Sequence, residues 1–495
     1  MASMSSQDTY TYTSSDHEKD DKDQDGDVDA IHQHATPQRH DADTDDDDDN
    51  DEAIVPVRDL TKENSQPDLR KIPSNTLSRV ASRLSTRHIV DPGPPPDGGF
   101  KAWTQVAMGW LICVVTWGYI NSFGVFQTYY TETLDESQST ISWVGSLQLW
   151  TVFFVSAFSG RALDAGLFLP ALIVGGVIQL IGIFMTSLCT NFWQLLLAQG
   201  LCTGLGSGIF FCPTMGLVTT YFDKKRGLAV AIVTTGNSVG GAVYPVIVRQ
   251  LLPKVGFGWT VRVLGFVNLA LLATALAFMR PRLPPRKAGP VIEWRALYEI
   301  PYDCVLIGMS LVFGGLFFSY YYIASYAREI IGMSYEDSLT LLIIFNGAGI
   351  PVRLLTGYVA DRFTGPLNTM VILLFVNALF GFLWIAIRTE GGLYAFATFY
   401  GFSAGAFQCL FPTTVTSLNS DLSKNGVRLG MAFSIFSFAG LAGPPIGGAL
   451  LQTNGGGRGG YLAAQLGLGL ATTCGALFMV AGRVYSQGWS LRIKC

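Results

Sequence analysis

A helix that crosses a hydrocarbon layer needs about 20 predominantly apolar residues, and this chain of 495 residues holds twelve such runs. They fall at 103–128, 140–163, 167–189, 192–219, 227–248, 260–279, 303–325, 338–358, 367–387, 392–418, 429–450 and 461–482, with mostly short connections. Lipid offers no partner to an open backbone N–H or C=O, so runs of this kind must be helices. A membrane barrel would alternate apolar and polar residues along each strand. Segments such as Leu111–Val115 and Leu341–Phe345 do not alternate. The pattern predicts an all-α polytopic membrane protein with twelve transmembrane helices.

Charge divides the chain in two. Overall 14% of residues are charged, against roughly 25% in a soluble protein. Residues 1–90 hold 10 Lys and Arg and 21 Asp and Glu, whereas the rest of the chain holds 23 and 16. The formal net charge of −4 is therefore a cancellation between an acidic tail and a basic body. The tail carries the acidic run Asp45–Asp49 and few aliphatic residues, a composition that cannot bury a core. No basic stretch followed by an apolar one opens the chain, so no cleavable signal peptide is expected. Arg70, Lys71, Arg79, Arg83 and Arg87 then form a basic segment without a carboxylate, facing the first span and suited to anionic lipid. With the N-terminus cytoplasmic, eighteen Lys and Arg lie on that face of the membrane and six on the other. That excess puts both termini in the cytoplasm. Seven of the eight cysteines lie in or at the ends of spans, and no disulfide or metal spacing is visible.

A long basic connection divides the spans six and six, giving a tail at 1–90, a six-helix bundle at 91–280, a central cytoplasmic loop at 281–302, a second bundle at 303–485 and a short tail at 486–495. The halves repeat. Gly160 and Asp164 close the second span as Gly357 and Asp361 close the eighth, 197 residues later. Gly200 and Gly204 in the fourth answer Gly401 and Gly405 in the tenth, and Arg226 and Arg428 stand before the fifth and eleventh. Repeated six-helix halves suggest a carrier that rocks about a solute site between them.

The Gly-x-x-x-Asp pairs and the six-plus-six layout resemble the major facilitator superfamily. More narrowly, Asp97-Gly98-Gly99-Phe100-Lys101-Ala102-Trp103 and Tyr221-Phe222-Asp223-Lys224-Lys225-Arg226-Gly227, continuing to Gly236 and Gly240, resemble two motifs of the monocarboxylate porter family in its fungal form. The resemblance covers residues 94 to about 485. It implies a secondary transporter, with Asp97, Asp164, Asp361 and Arg226 in conformational gating. Ordinary solvated loop carboxylates and positive-inside anchors are the alternatives for these residues.

Arg353 is the one charged residue well inside a span. Such residues face cavities or partners, although its distance from the span end, about 7.5 Å at 1.5 Å per residue, also permits snorkelling. Asn346, Gly349, Arg353 and Gly357 share a helix face by their spacing, and a guanidinium suits a carboxylate. The resemblance implies the same role, since Arg353 falls at the family's substrate-binding arginine. There, the carboxylate expected one turn earlier is replaced by Gly349, and the expected first-helix lysine by Asn121. Trp117, Asn121 and Thr128 share a face of the first span. Tyr320, Tyr321 and Tyr322 in the seventh either line a site or form an interfacial belt. Gln408 and Asn237 add amides that either meet a solute or join helices. An aromatic cavity with one arginine favours an amphipathic or aromatic organic acid.

No Asp or Glu lies deep in a span and all five histidines are in the tail, so transport is expected to be uncoupled or to carry its proton on the solute. No Gly-Lys dipeptide occurs, which removes the phosphate loop of an ATP-driven pump, and no cofactor, metal, ATP or nucleic acid is expected as a partner. The chain is read as a non-enzymatic multi-pass protein of the plasma membrane, in contact with lipid, that takes up a nutrient or vitamin or exports a secondary metabolite. A non-transporting sensor signalling through the tail is the competing class.

Overall fold

The computed structural model describes residues 93–285, 292–419, 425–453 and 457–488. The acidic and basic tail up to residue 92, part of the central loop and the last residues lie outside them. Every regular element among the described residues is helical. The helices are α1 Gly99–Thr133, α2 Gln138–Asp164, α3 Phe168–Thr186 and α4 Phe192–Thr219. Arg226–Phe278 is a 53-residue element broken at Gly256, whose φ of 72° lies in the left-handed region open to glycine. Its two arms are α5 (226–255) and α6 (257–278). There follow α7 Ile300–Ile331, α8 Tyr335–Thr364, α9 Pro366–Ala386, α10 Glu390–Ser417, α11 Asn425–Leu451 and α12 Gly457–Gln487.

Ten elements among the described residues are long and apolar enough to cross a membrane, with Arg226–Phe278 counted once. Glu390–Ser417 is not one of the ten; it carries Thr398, Ser403, Gln408 and Thr414 along its length. Local chemistry sets the ends. Ser137 accepts from the Thr140 N–H at 3.1 Å, Ser334 from Asp337 at 3.1 Å and Thr389 from Gly392 at 3.2 Å, each satisfying a donor that its helix leaves open. Prolines stand in the first turns of α7 and α9, where no intrahelical N–H is lost.

Two contacts join the helices before residue 285 to those after 292 along their lengths: α2 packs on α11, and α5 on α8. Counting six helices on from either pair gives the other, as a repeated chain requires. Glycines bring the backbones together, as small residues do between membrane helices. A Cβ on Gly118 of α1 would stand 2.5 Å from the Cα of Gly240 on α5, and one on Gly405 of α10 would stand 2.7 Å from the Cα of Gly349 on α8. Large apolar side chains of α3, α6, α9 and α12, among them Ile181, Phe266, Leu379 and Leu470, point outward. An apolar surface of this extent fits lipid rather than water. Inside, Phe153 of α2 meets Trp117 of α1 at 5.0 Å, Phe313 of α7 at 5.4 Å and Phe433 of α11 at 5.2 Å between ring centroids.

Candidate functional site

Gly349 and Gly405 let α8 and α10 approach closely enough for side chains one turn further on to bond. Arg353 donates from Nη2 to Gln408 Oε1 at 2.6 Å. The Gln408 amide in turn donates to the Tyr320 hydroxyl on α7 at 3.1 Å. From its other side Arg353 donates from Nε to Ser238 Oγ on α5 at 2.9 Å. The guanidinium is 0% exposed, and Nη1 has no partner among the described residues. This is not a side chain that reaches for the membrane surface.

Both ligands of Arg353 are neutral, and no ion pair to it occurs among the described residues. A buried cation without a counter-charge is costly by several kcal/mol. The site is electrically incomplete in a way that an anion completes. The position where the family resemblance led one to expect a carboxylate is filled differently: a Cβ on Gly349 would lie 2.9 Å from Ser238 Oγ. Ser238 carries no signal in the sequence, being one of many small polar residues in the spans.

About 10 Å further along α8, at seven residues of 1.5 Å rise, a second polar point lies where α1, α5 and α8 meet. A Cβ on Gly241 would press on the Asn346 amide oxygen and stand 3.1 Å from Asn121 Cβ. Asn346 donates to the Leu342 carbonyl at 3.0 Å, which leaves its oxygen unpartnered. Neither amide atom of Asn121 has a partner among the described residues, and both residues are buried. Trp117 and Tyr321 lie on the aromatic side. Tyr321 meets Phe123 at 4.7 Å, and Trp117 meets Phe153 at 5.0 Å and Phe211 at 5.5 Å. The Trp117 ring N–H and the Tyr321 hydroxyl are likewise buried and unpartnered. Tyr320, Tyr321 and Tyr322 are at most 2% exposed, so they line the interior and do not form an outward belt. Arg353 thus bonds Gln408 directly, Asn121 and Asn346 converge on Gly241, and Trp117 and Tyr321 belong to the adjoining aromatic group.

The residues expected to gate are not brought to that site. Asp97, at a φ of 49°, accepts from the backbone N–H of Asp223 at 2.5 Å and of Lys224 at 2.9 Å. Those donors, Asp223 first and then Lys225 and Lys224, hold its carboxyl below the usual range against some loss of hydration. The Asp97 N–H returns a bond to the Tyr221 carbonyl at 3.2 Å. The two family-like motifs are therefore fastened to each other, and Arg282 adds bonds to the Gly93 and Thr220 carbonyls. Every one of these contacts lies within the helices before 285. Arg226 is exposed at the start of α5 and Asp164 is half-buried in the last turn of α2. Asp361 lies in the wide turn that ends α8, and its side chain is outside the described residues.

Among the described residues, most polar side-chain contacts between the two sets of helices gather at the opposite end of the molecule, and these were not expected from the sequence. Arg328 pairs with Glu132, and Gln138 donates to Glu329. Arg249 donates to Thr340 at 2.9 Å and lies 3.7 Å from Glu336. Ser139 donates to the Pro445 carbonyl at 2.8 Å, and Tyr322 to that of Gln138 at 3.1 Å. A signal was present: Glu132 after the first span and Arg328 after the seventh are opposite charges expected on the same side.

Residues 108–421 match the model of the Major Facilitator Superfamily. The chain is 43% identical to an MFS-type transporter of Gibberella zeae, over 84% of its own length and 92% of the relative's. It is 35% identical to the MFS transporter asaE of Aspergillus flavus, over 81% of this chain and 91% of that one. It is 34% identical to the aspyridones efflux protein apdF of Emericella nidulans, over 79% and 80%.

Proposed function

The chain belongs to the major facilitator superfamily, and from that premise we propose that it exports an amphipathic organic anion, a secondary metabolite, by alternating access. It is a multi-pass membrane transporter, and relatives that are themselves transporters leave no support for the sensor reading. The observation that carries the solute class is the buried Arg353 guanidinium, which among the described residues has only neutral ligands and one unpartnered nitrogen. An anionic group binds there. Asn121 and Asn346 read a second polar group about 10 Å away along α8, and the rings of Trp117, Phe153 and Tyr321 accept the apolar body between.

Export is favoured over uptake by the relative whose name records efflux. Ten apolar elements, the break at Gly256 and the Glu390–Ser417 helix support twelve crossings, arranged as bundles at 91–280 and 303–485 with both termini cytoplasmic. In that orientation the Arg328–Glu132 and Arg249–Glu336 pairs seal the outer end. Asp164, Asp361 and Arg226 act at the inner end, and Asp97 keeps one bundle rigid there. The two fastened motifs favour the monocarboxylate porter branch, and the plasma membrane is the proposed site of action. No Asp, Glu or His lies deep in a span, which supports a proton, if any, travelling on the solute.

Arg353→Ala should abolish flux of anionic solutes from proteoliposomes while leaving the protein in the membrane. Unchanged flux removes the anion assignment. In cells, deletion should raise the intracellular share of one acidic metabolite over the share found outside, and an unaltered ratio would count against export.

A further inference from the structure

We propose that Ser238 is a tether on the empty carrier: through Arg353 it holds α5 to α8 and slows the parting of that seam until an anion takes its place. The idea rests on the rocking motion proposed above and adds a residue that the motion must release.

Arg353 has two protein ligands, and they lie on different sets of helices. Gln408 stands on α10, which packs against α8 after residue 292. It therefore travels with Arg353 when the two sets turn. Ser238 stands on α5, across the seam. Turning α5 away from α8 breaks the Nε to Oγ bond and preserves the bond to Gln408. A fully buried guanidinium that loses one of two ligands resists the motion, so the empty carrier parts that seam more slowly than the loaded one. An anion bound at Nη1 supplies a stronger, charge-assisted contact in place of the lost one and lets the seam part.

Ser238 is suited to this by what it does not do. Thr234 and Thr235, its neighbours on α5, donate to the Ala231 and Ile232 carbonyls of their own helix. Ser238 shows no such bond; its hydroxyl accepts from Arg353 and keeps a proton free to give an anion. Its place is also kept open. Any side chain at position 349 would intrude on it, since a Cβ there would be 2.9 Å from Ser238 Oγ and 3.4 Å from the Cα of Gly405. The tether lies nearer the Asp97 end than the Glu132 end, with the Thr234–Cys409 contact at 3.6 Å beyond it. Its release opens the seam toward the Asp97 end.

The test uses the full-length protein in lipid nanodiscs without solute, read by hydrogen exchange. Ser238→Ala and Gly349→Ala break the same bond from opposite sides. Both should speed exchange at 226–240 and 349–360 about tenfold, while 128–140 and 326–338 at the other end stay as protected as before or become more so. Ser238→Thr, which keeps the hydroxyl, should behave as the wild type. A substitution that merely loosens packing speeds exchange at both ends, and that result, or no change at either end, overturns the tether. Benzoate added to the wild type should reproduce the Ser238→Ala pattern. If benzoate does nothing while the two variants open one end only, the tether stands and the assignment of an anion to Arg353 falls.

Discussion

At the scale of single residues, the interior is built around polar atoms without partners. Asn121, like Gln148, has both amide atoms buried and unpartnered among the described residues. A buried, unsatisfied polar group costs about 1–3 kcal/mol, and leucine keeps the branching of asparagine, at a larger volume, without that cost. Asn121→Leu is therefore expected to raise thermal stability in detergent by about 1 kcal/mol or more while abolishing solute flux. Lower stability would show that the amide is satisfied by something other than solute. Arg353 was legible in the sequence because one charge inside an apolar run cannot be incidental. Ser238 was not legible, because a serine in a helix reveals nothing until the helix opposite it is known. Gly349 stood between these cases: its oddity was visible as a missing carboxylate, but its use as space for another helix's hydroxyl was not.

At the scale of elements, the apolar runs located most helices within a few residues. The fused α5 and α6 escaped, since residues 249–259 are helical in the structure up to and beyond Gly256 rather than an open connection. Glycine contacts fix how closely the helices lie. Gly118→Ala would drive a Cβ to 2.5 Å from the Cα of Gly240, backbone that cannot step aside, and is expected to cost about 1–3 kcal/mol, read as a lowered melting temperature. The fastening of Asp97 to the α4–α5 connection gives a pH prediction. Its carboxyl is held below the ordinary value of 3.8, so the charged form is the one the fold favours. Its contribution is present above that ordinary value and is lost as pH falls through the lower, folded one. Exchange at 221–226, corrected for its intrinsic pH dependence, should thus quicken only below about pH 4. In Asp97→Asn it should be quick throughout.

At the scale of the whole molecule, the two helix sets are joined along α2–α11 and α5–α8 and pinned at one end by polar pairs. Each pin is partly exposed and worth about 0.2–1 kcal/mol, weak enough to break in every cycle. Glu132→Arg should raise the accessibility of that end several-fold in a labelling assay, and adding Arg328→Glu should restore it. The central connection is held differently. Arg428, 6% exposed, is gripped by Glu293 at 3.0 Å and Glu299 at 2.6 Å. Arg428→Ala strands two carboxylates and should cost about 3 kcal/mol, seen as poor folding rather than altered selectivity. The uncompensated Arg353 has a further consequence. Arginine stays cationic at any working pH, so an empty carrier that turns carries positive charge with it, whereas one loaded with a monoanion is neutral. Membrane voltage, worth about 2.3 kcal/mol per charge per 100 mV for a full crossing, then acts on the return of the empty carrier and not on the loaded step. A potential negative inside draws the vacant arginine back toward the cytoplasm, so the resting voltage of a cell would itself reload an exporter of anions.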